Sequence, residues 1–178
     1  MSTDTLKQLQ VGQQVPDFSE EAYMPDGSFK RIKLSDYQGK WLVIFFYPLD
    51  FTFVCPTEIK GFNSHYDKLR DSGAEVLSVS TDSVYSHKAW SESSLGKVHF
   101  PMLADTAHKI SKIFNVLLED KGISLRGTFI IDPKGVLKSA VINDLSAGRS
   151  VEETLRTLQA LQTGKLTGCD WKPGQPTL

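Results

Sequence analysis

Cysteine is scarce in this chain of 178 residues, which contains only Cys55 and Cys169 and no C-x-x-C pair. The missing C-x-x-C counts against a thioredoxin-type dithiol exchanger. In a secreted protein the two cysteines would be expected to form one disulfide. In a reducing compartment they are either inert thiols or a transient catalytic pair, and the cysteine count leaves both alternatives open.

The chain also lacks a charge excess and a long apolar run. Its formal net charge is -1 at pH 7, so there is no electrostatic basis for binding nucleic acid or an anionic membrane. No apolar stretch approaches the length of a membrane span, and the N-terminus lacks the basic and apolar segments of a signal peptide. We therefore expect a cytoplasmic protein that binds neither nucleic acid nor membrane.

The four histidines show no metal-site spacing, either with each other or with a cysteine. They are His65, His87, His99 and His108. Each is predicted to be an isolated surface histidine. Neither a metal nor another cofactor is expected.

Strand and helix patterns alternate along the chain. Apolar runs at 41–47 and 74–80 predict buried strands, and residues 56–71 between them carry apolar side chains at helical spacing. A hairpin is expected around the turn at 25–28, and two further strands are expected at 125–131 and 135–142, on either side of a turn at 132–135. These patterns predict an α/β domain with a mixed central sheet flanked by helices and an N-terminal hairpin extension.

Capping signals predict where later helices begin. Either Asp82 or Ser83 is expected to cap one helix, and residues 106–115 predict another. Ser150, followed three residues later by Glu153, forms a capping box for a last helix.

Both ends of the chain are predicted to lie outside the core. Residues 1–10 are expected to form a frayed polar arm, and the segment from residue 164 onward is rich in Gly and Pro. The domain is therefore assigned to residues 1–163 and a C-terminal tail to residues 164–178.

Cys55 is the most informative residue of the sequence. It follows the strand at 41–47 and precedes Pro56, which fits the first position of a helix because its missing N–H costs nothing there. Cys55 is thus expected at a helix N-terminus, where free N–H groups and the helix dipole favour the nucleophilic thiolate. With the hydroxyl of Thr52 one turn earlier, the segment indicates a reactive thiol.

Three other side chains have both a functional and an ordinary interpretation. Arg126 begins an apolar strand, either as an exposed charge at a sheet edge or as a functional cation beside the thiol. Thr52 can be a turn hydroxyl, and Glu58 a first-turn carboxylate that interacts favourably with the helix dipole. The pattern alone leaves these alternatives open.

Several motifs in the same order resemble one family. Pro48-x-x-x-Thr52-x-x-Cys55 matches the P-x-x-x-T/S-x-x-C active-site motif of the peroxiredoxins. The surrounding FTFVCPTE is similar to the typical two-cysteine branch, which includes the bacterial alkyl hydroperoxide reductase C proteins. Later matches are GISLRG at 122–127, NDLSAGRS at 143–150 and WKPG at 171–174. The resemblance covers nearly the whole chain.

The resemblance implies a thioredoxin-like fold and a peroxidase that reduces hydrogen peroxide and organic hydroperoxides. Cys55 would be the peroxidatic cysteine, which attacks the O–O bond and becomes a sulfenic acid. Pro48 would shield the site from water. The Thr52 hydroxyl and the Arg126 guanidinium would polarise the peroxide and stabilise the thiolate.

The resemblance also implies supporting residues and partners. Glu58 would orient Arg126, and Arg149 would add a second cation. Cys169 of the partner subunit would resolve the sulfenic acid as an intersubunit disulfide, which a flavin-dependent reductase, a thioredoxin or another dithiol protein would reduce. The implied assembly is a homodimer that can associate into a decamer.

The chain departs from the family in three places. The usual resolving cysteine aligns with Thr167, four residues before Trp171, whereas Cys169 lies two residues later. The chain ends at Leu178 without the Tyr-Phe helix of oxidation-sensitive members, and SSLG at 93–96 stands where those members have Gly-Gly-Leu-Gly. The last two changes predict resistance to overoxidation, and the first leaves open a one-cysteine mechanism with Cys169 idle.

Functions of other classes are also compatible with this fold. A ring of dimers can act as a holdase chaperone as a second activity. A binding module that keeps the fold without the chemistry is disfavoured by the intact set of Pro48, Thr52, Cys55 and Arg126. A thiol–disulfide exchanger is disfavoured by the missing C-x-x-C.

Overall fold

The structure is a computed structural model that describes residues 8–178. The expectations for residues 1–7, which cover most of the polar arm and the missing signal peptide, lie outside the described residues. The strands are β1 (Ser19–Tyr23), β2 (Phe29–Lys33), β3 (Trp41–Phe46), β4 (Ala74–Ser80), β5 (Met102–Ala104), β6 (Leu117–Leu118), β7 (Ile123–Ser124), β8 (Arg126–Ile131) and β9 (Leu137–Asn143). The helices are α1 (Cys55–Asp71), α2 (Val84–Trp90), α3 (Lys109–Ile113) and α4 (Val151–Gln162), with a 3-10 turn at Leu34–Tyr37 and a π turn at Ser91–Leu95.

Seven of the strands form one mixed sheet in the order β2-β1-β5-β4-β3-β8-β9. Strands β3, β4 and β5 are parallel neighbours, since the chain crosses over through helices between them. The pairs β1–β2, β1–β5, β3–β8 and β8–β9 are antiparallel. The predicted mixed sheet with an N-terminal hairpin is therefore confirmed, and β2 and β9 are its edges.

Strand β3 crosses the centre of the molecule and is buried on both faces. Val43 and Phe45 pack into one core cluster beneath α1, whereas Ile44 and Phe46 pack into a second cluster on the other face of the sheet. This alternation follows from the two-residue period of a strand. A strand covered on both faces reads as a continuous apolar run, which is why the sequence located it.

Helix α1 matches its predicted range. Its apolar stripe faces the core, with Ile59, Phe62 and Leu69 buried. Pro56 is the second helical residue rather than the first, because the helix already begins at Cys55. Gly73 lies just past the end with φ +74°, a left-handed conformation that glycine adopts without strain.

Two helix starts differ from or refine the predictions. Helix α3 covers only Lys109–Ile113 of the predicted 106–115, because the buried Asp105 carboxylate accepts the backbone N–H groups of Ile110 and Ser111 and so fixes the first turn. Ser83, not Asp82, caps α2 by accepting the N–H of Ser86 at 3.2 Å.

Helix α4 begins where the sequence predicted, because the Ser150 hydroxyl accepts the N–H of Glu153 at 3.1 Å. On the apolar face of α4, Val151 and Leu158 are buried, while Leu155 and Leu161 are partly buried against the core. None of the helices in residues 8–178 combines the length and the apolarity that crossing a membrane requires.

The C-terminal tail corrects one expectation. Trp171 is only 6% exposed, so the tail does not lie wholly outside the core. Its carbonyl accepts a hydrogen bond from Arg156 on α4 at 2.9 Å, and its indole N–H donates to the Gln175 carbonyl at 3.1 Å. A large aromatic ring gains much from burial when its N–H finds a partner, and this outweighs the Gly and Pro content. The boundary at residue 163 stays a prediction.

Candidate active site

Cys55 lies where β3 delivers the chain to the start of α1. The strand ends at Phe46, residues 47–54 form a loop, and Cys55 is the first helical residue. The predicted position at a helix N-terminus is therefore confirmed, and the positive end of the helix dipole lies at the thiol. The side chain is fully buried, at 0% exposure.

Arg126 brings a positive charge to the sulfur. Phe45 pairs with Thr128 in the antiparallel ladder of β3 and β8, so the start of β8 lies level with the end of β3. The Arg126 side chain is buried there, with Nη1 3.5 Å from the Cys55 Sγ. It is not an exposed charge at an edge, and a guanidinium at this distance favours the thiolate form of cysteine.

Glu58 joins two arginines beneath the thiol. It lies on the first turn of α1 and is 4% exposed. One carboxylate oxygen accepts from Arg126 Nη1 at 2.6 Å, and the other accepts from Arg149 Nε at 2.9 Å. Two guanidinium groups and one carboxylate leave one formal positive charge buried beside the Cys55 sulfur.

Arg149 forms hydrogen bonds to three elements around this ion cluster, namely α1, β8 and β3. Its Nη1 donates to the Gly127 carbonyl at 2.8 Å and to the Thr128 hydroxyl at 3.1 Å, both on β8. Its Nη2 donates to the carbonyl of Phe46 at the end of β3. Burial lowers the pKa of Arg149 from its ordinary value, and the hydrogen bonds to Glu58 oppose that change. The side chain thus links β3, β8 and α1.

The loop before Cys55 holds the other two predicted site residues. Pro48 is buried at its start. Thr52 is half-buried, and its hydroxyl donates to the Leu49 carbonyl at 3.1 Å. Within residues 8–178 this hydroxyl makes no hydrogen bond to Cys55, so the structure brings Arg126, Glu58 and Arg149 to the thiol by direct contacts and Thr52 only by its place in the loop.

Cys169 lies apart from this cluster. It is exposed, and both cysteines are free. Its surroundings are an open cleft of about 610 Å³ lined by β9, α4 and the tail, including Lys138, Arg156 and Asp170. None of the residues that line this cleft belongs to the ion cluster of Cys55.

Sequence reasoning missed a second buried polar cluster behind the loop. His87 is 0% exposed and Asp50 is 6% exposed, so the prediction of a surface histidine is wrong for His87. The signal was present, because Val84, His87 and Trp90 recur every three residues and form the buried face of α2. In residues 8–178 no group of three or more His, Cys, Asp or Glu side chains is placed to hold a metal ion.

Comparison with known proteins agrees with this geometry. Residues 11–140 match the AhpC/TSA family. This chain belongs to that family. A putative peroxiredoxin in the rubredoxin operon of Clostridium pasteurianum is 50% identical over 174 residues, covering 94% of this chain and 98% of that protein. Peroxiredoxin-2 of Mus musculus is 51% identical over 178 residues, covering 95% and 89%.

Solved structures agree as well. The reduced 2-Cys peroxiredoxin of Plasmodium vivax superposes with a TM-score of 0.91 at 37% identity, over 93% of this chain and 91% of that one. AhpC of Enterococcus faecalis gives 0.85 at 44% identity, over 88% and 94%. The predicted thioredoxin-like peroxiredoxin fold is confirmed, and the chain is a thiol-dependent peroxidase, as the resemblance implied.

Proposed function

We propose that this peroxiredoxin reduces hydrogen peroxide and organic hydroperoxides with Cys55 as its nucleophile. The observation that carries the proposal is the 3.5 Å contact between Arg126 Nη1 and Cys55 Sγ. This contact lies within a buried ion cluster whose single excess positive charge a thiolate would balance. Cys169 has no comparable surroundings, because it is exposed in an open cleft.

In the first step, the Cys55 thiolate attacks one peroxide oxygen. The S–O bond forms as the O–O bond breaks, and the departing oxygen keeps the electron pair and takes a proton to leave as water or an alcohol. Within residues 8–178 the Nη2 group of Arg126 has no hydrogen-bond partner, so it can donate to the oxygen on which charge develops. Pro48 would exclude water, and the Thr52 hydroxyl would position the peroxide.

In the second step, the Cys169 thiolate of a partner subunit attacks the sulfenic sulfur of Cys55. An S–S bond forms, and the hydroxyl leaves as water after protonation. Because a disulfide needs its two Cα atoms within about 7 Å, and Cys55 is fully buried in the first turn of α1, this turn must open. An external dithiol, from a flavin-dependent reductase, a thioredoxin or a similar protein, then restores both thiols.

The homodimer that this step requires has a candidate surface at β9. This strand is an edge of the sheet, with unpaired backbone groups and with Val141 and Ile142 at 52% and 44% exposure. Such an edge favours pairing with another strand. We infer an isologous dimer in which two copies of β9 pair, so that each tail faces the other subunit.

Association of dimers into a decamer is supported by exposed aromatic surface on the site loop and on α2. Phe51, Phe53 and Tyr85 are exposed, and Phe53 reaches 98%. Exposed apolar groups of this size commonly mark contact sites between proteins. The same surface favours a holdase as a second activity, which a Cys55→Ser variant should retain while it loses all peroxide reduction.

We further infer a cytoplasmic location, in keeping with the net charge and the bacterial relatives.

A non-reducing gel tests the two-cysteine mechanism. Wild type and Cys169→Ser are each treated with one equivalent of hydrogen peroxide. We expect a reducible dimer in the wild type that is lost in Cys169→Ser, while Cys55 is still oxidised in both. Loss of one thiol without a dimer in the wild type would indicate a one-cysteine enzyme, and no thiol loss at all would refute Cys55 as the nucleophile.

A further inference from the structure

A buried polar cluster lies behind the loop that carries the site, and the mechanism above makes no use of it. Its members are Tyr47 and Asp50 in the loop, Ser86 and His87 on α2, and the backbone carbonyl of Leu103 on β5. The side chains of Asp50 and His87 are almost completely buried, at 1% and 0% exposure.

Both ring nitrogens of His87 face groups that accept hydrogen bonds. Nε2 lies 3.1 Å from the Leu103 carbonyl oxygen, and Nδ1 lies 2.8 Å from an Asp50 carboxylate oxygen. The Tyr47 hydroxyl is farther from Nδ1, at 3.4 Å, and donates its hydrogen to the other Asp50 oxygen at 2.7 Å. A carbonyl oxygen cannot donate, so Nε2 must carry a proton. A neutral ring has only one N–H, which Nε2 already uses. The hydrogen bond between Nδ1 and Asp50 would then need its proton on the Asp50 carboxyl group instead.

The other contacts of Asp50 favour its ionised form. One carboxylate oxygen accepts from the Tyr47 hydroxyl at 2.7 Å, and the other accepts from the Ser86 hydroxyl at 2.8 Å. Burial raises the pKa of Tyr47 well above its ordinary value, so this phenol remains a donor. A carboxylate that receives several such bonds is stabilised in its charged state. A buried carboxylate in turn needs a cation, and His87 is the residue in position to supply it.

The remaining acid near this pair is already occupied. Asp82 accepts the backbone N–H of Asp50 at 2.9 Å and the Ser80 hydroxyl at 2.7 Å. Burial and the charge of Asp50 both raise the pKa of Asp82. The surroundings of His87 therefore contain two acids and no second base among the described residues that bond to this cluster.

Asp50 is the point at which the loop is fixed. Of residues 48–54, only Asp50 and Thr52 have polar side chains, and Thr52 bonds within the loop to Leu49. Within residues 48–54 of the described chain, Asp50 alone bonds by its side chain to residues outside the loop, namely Ser86 and His87 on α2. The position of the loop, and with it that of Thr52, thus depends on the Asp50 carboxylate.

We propose that His87 is a positioning residue for peroxide reduction: as an imidazolium it donates to both Asp50 and Leu103, and thereby fixes the loop that brings Pro48 and Thr52 to Cys55. The proposal rests on the function proposed above. It assigns His87 no contact with the peroxide, since its ring is fully buried and both ring nitrogens are occupied by Asp50 and Leu103.

Nitrogen NMR of the reduced, full-length wild type with labelled histidine tests the protonation state directly. The signals of His87 are assigned by their loss in His87→Phe. We expect both ring nitrogens of His87 to resonate in the protonated range, each coupled to its own hydrogen. A ring with one bare nitrogen would overturn the proposal, and this reading does not depend on whether the protein reduces peroxide.

Kinetics test the positioning role. In His87→Phe, we expect the rate of Cys55 oxidation by hydrogen peroxide to fall about ten- to a hundredfold, because the loop is displaced from the reacting groups. The rate of Cys55 alkylation by iodoacetamide, which needs a thiolate but no aligned peroxide, should change by less than about threefold. Tyr47→Phe, which removes one uncharged donor to Asp50, is the matched control and should have a smaller effect.

His87→Gln keeps one amide donor for Asp50 and is expected to fall between the wild type and His87→Phe. Circular dichroism confirms that each variant is folded. Equal loss of the peroxide and alkylation rates, or no loss of either, would contradict the positioning role. A wild type that fails to consume peroxide would instead refute the proposed function, while the NMR result would still report on His87.

Discussion

The two cysteines of this peroxiredoxin lie in opposite surroundings. Cys55 is enclosed by a preorganised ion cluster at the start of a 17-residue helix, whereas Cys169 is exposed in an open cleft of the tail. A small peroxide can enter an enclosed site, and fixed charges there stabilise the transition state without reorganisation. A protein thiol is too large to enter, so the second step of the proposed mechanism would need an accessible sulfur. On that mechanism, one geometry could not serve both steps.

The largest effect should come from removing the charge that distinguishes Cys55. Arg126→Met deletes the guanidinium 3.5 Å from the sulfur, and we expect Cys55 oxidation by hydrogen peroxide to slow about 10²- to 10³-fold. Arg156→Met is the matched control, because Arg156 lies beside Cys169 and pairs with the exposed Glu153. In Arg156→Met, the rate of Cys55 oxidation should stay within about twofold of the wild-type rate. Rapid-mixing fluorescence gives both rates, and equal losses would remove the distinction between the sites.

The next effect concerns stability. Glu58→Gln leaves two buried guanidinium groups without their shared carboxylate, and we expect the free energy of unfolding to fall by about 3 kcal/mol. Glu75→Gln breaks the surface pair with Lys40, in which the Lys40 side chain is 58% exposed and that of Glu75 31%. It should lower the free energy of unfolding by less than about 1 kcal/mol. Urea denaturation measures both changes. A comparable loss in the two variants would show that the cluster is not a significant part of the folded state's stability.

A smaller effect is expected in the competition between resolution and overoxidation. The segment SSLG at 93–96, which stands where oxidation-sensitive members have Gly-Gly-Leu-Gly, comprises the last three residues of the short π turn at Ser91–Leu95 and Gly96 after it. We expect the disulfide to form faster than sulfinic acid at Cys55 during turnover at high peroxide. Mass spectrometry should find chiefly disulfide in the wild type and sulfinic acid in Cys169→Ser. Rapid sulfinic acid formation in the wild type would contradict this prediction.

The smallest effect is a pH dependence of stability at Asp82. Its pKa is raised from 3.8, mainly by burial, so the folded state holds this proton more tightly than the unfolded chain does. Its stabilising contribution is therefore present below the ordinary pKa and is lost as the pH rises through the folded-state pKa. Asp82→Asn should reduce the difference in unfolding free energy between about pH 4 and 7 by less than about 1 kcal/mol.

Asp144 is the control of opposite sign. Hydrogen bonds from Leu145 and Ser146 lower its pKa, so its contribution is present at neutral pH and is lost as the pH falls through the folded-state pKa. Asp144→Asn should therefore remove stability at neutral pH and not under acid conditions. The same sign for both variants would contradict the assigned shifts.

The sequence predicted what depends on local pattern. Neighbouring residues alone predict the apolar run of β3, the apolar stripe of α1 and the cap at Ser150. The position of Cys55 at a helix start follows from the β3 run before it and the α1 stripe after it. Arg126 and Cys55 are 71 positions apart in the sequence, and their contact depends on the pairing of β8 with β3. Composition and period do not encode that pairing, and the family motif supplied it.

Burial of polar and aromatic side chains is harder to predict from the sequence than the helices and strands are. His87 was assigned to the surface because histidine is often exposed, yet its two acceptors lie on a loop and on β5. Trp171 was assigned to a loose tail by its Gly and Pro neighbours, although Arg156 holds its carbonyl. In both cases the partners come from distant segments, which a reading of neighbours along the chain does not reveal.

The charge balance beneath Cys55 has a consequence for timing. On the proposed mechanism, oxidation converts the thiolate into an uncharged sulfenic acid, and the pair of arginines with Glu58 then retains a positive charge. Within residues 8–178, Glu58 is the only acidic side chain that pairs with these two arginines. The same contacts that hold the reduced helix start closed would hold the oxidised one less firmly. Chemistry at one sulfur atom would thereby act as the release signal for the turn that must unwind, so that the site opens after it has reacted and not before.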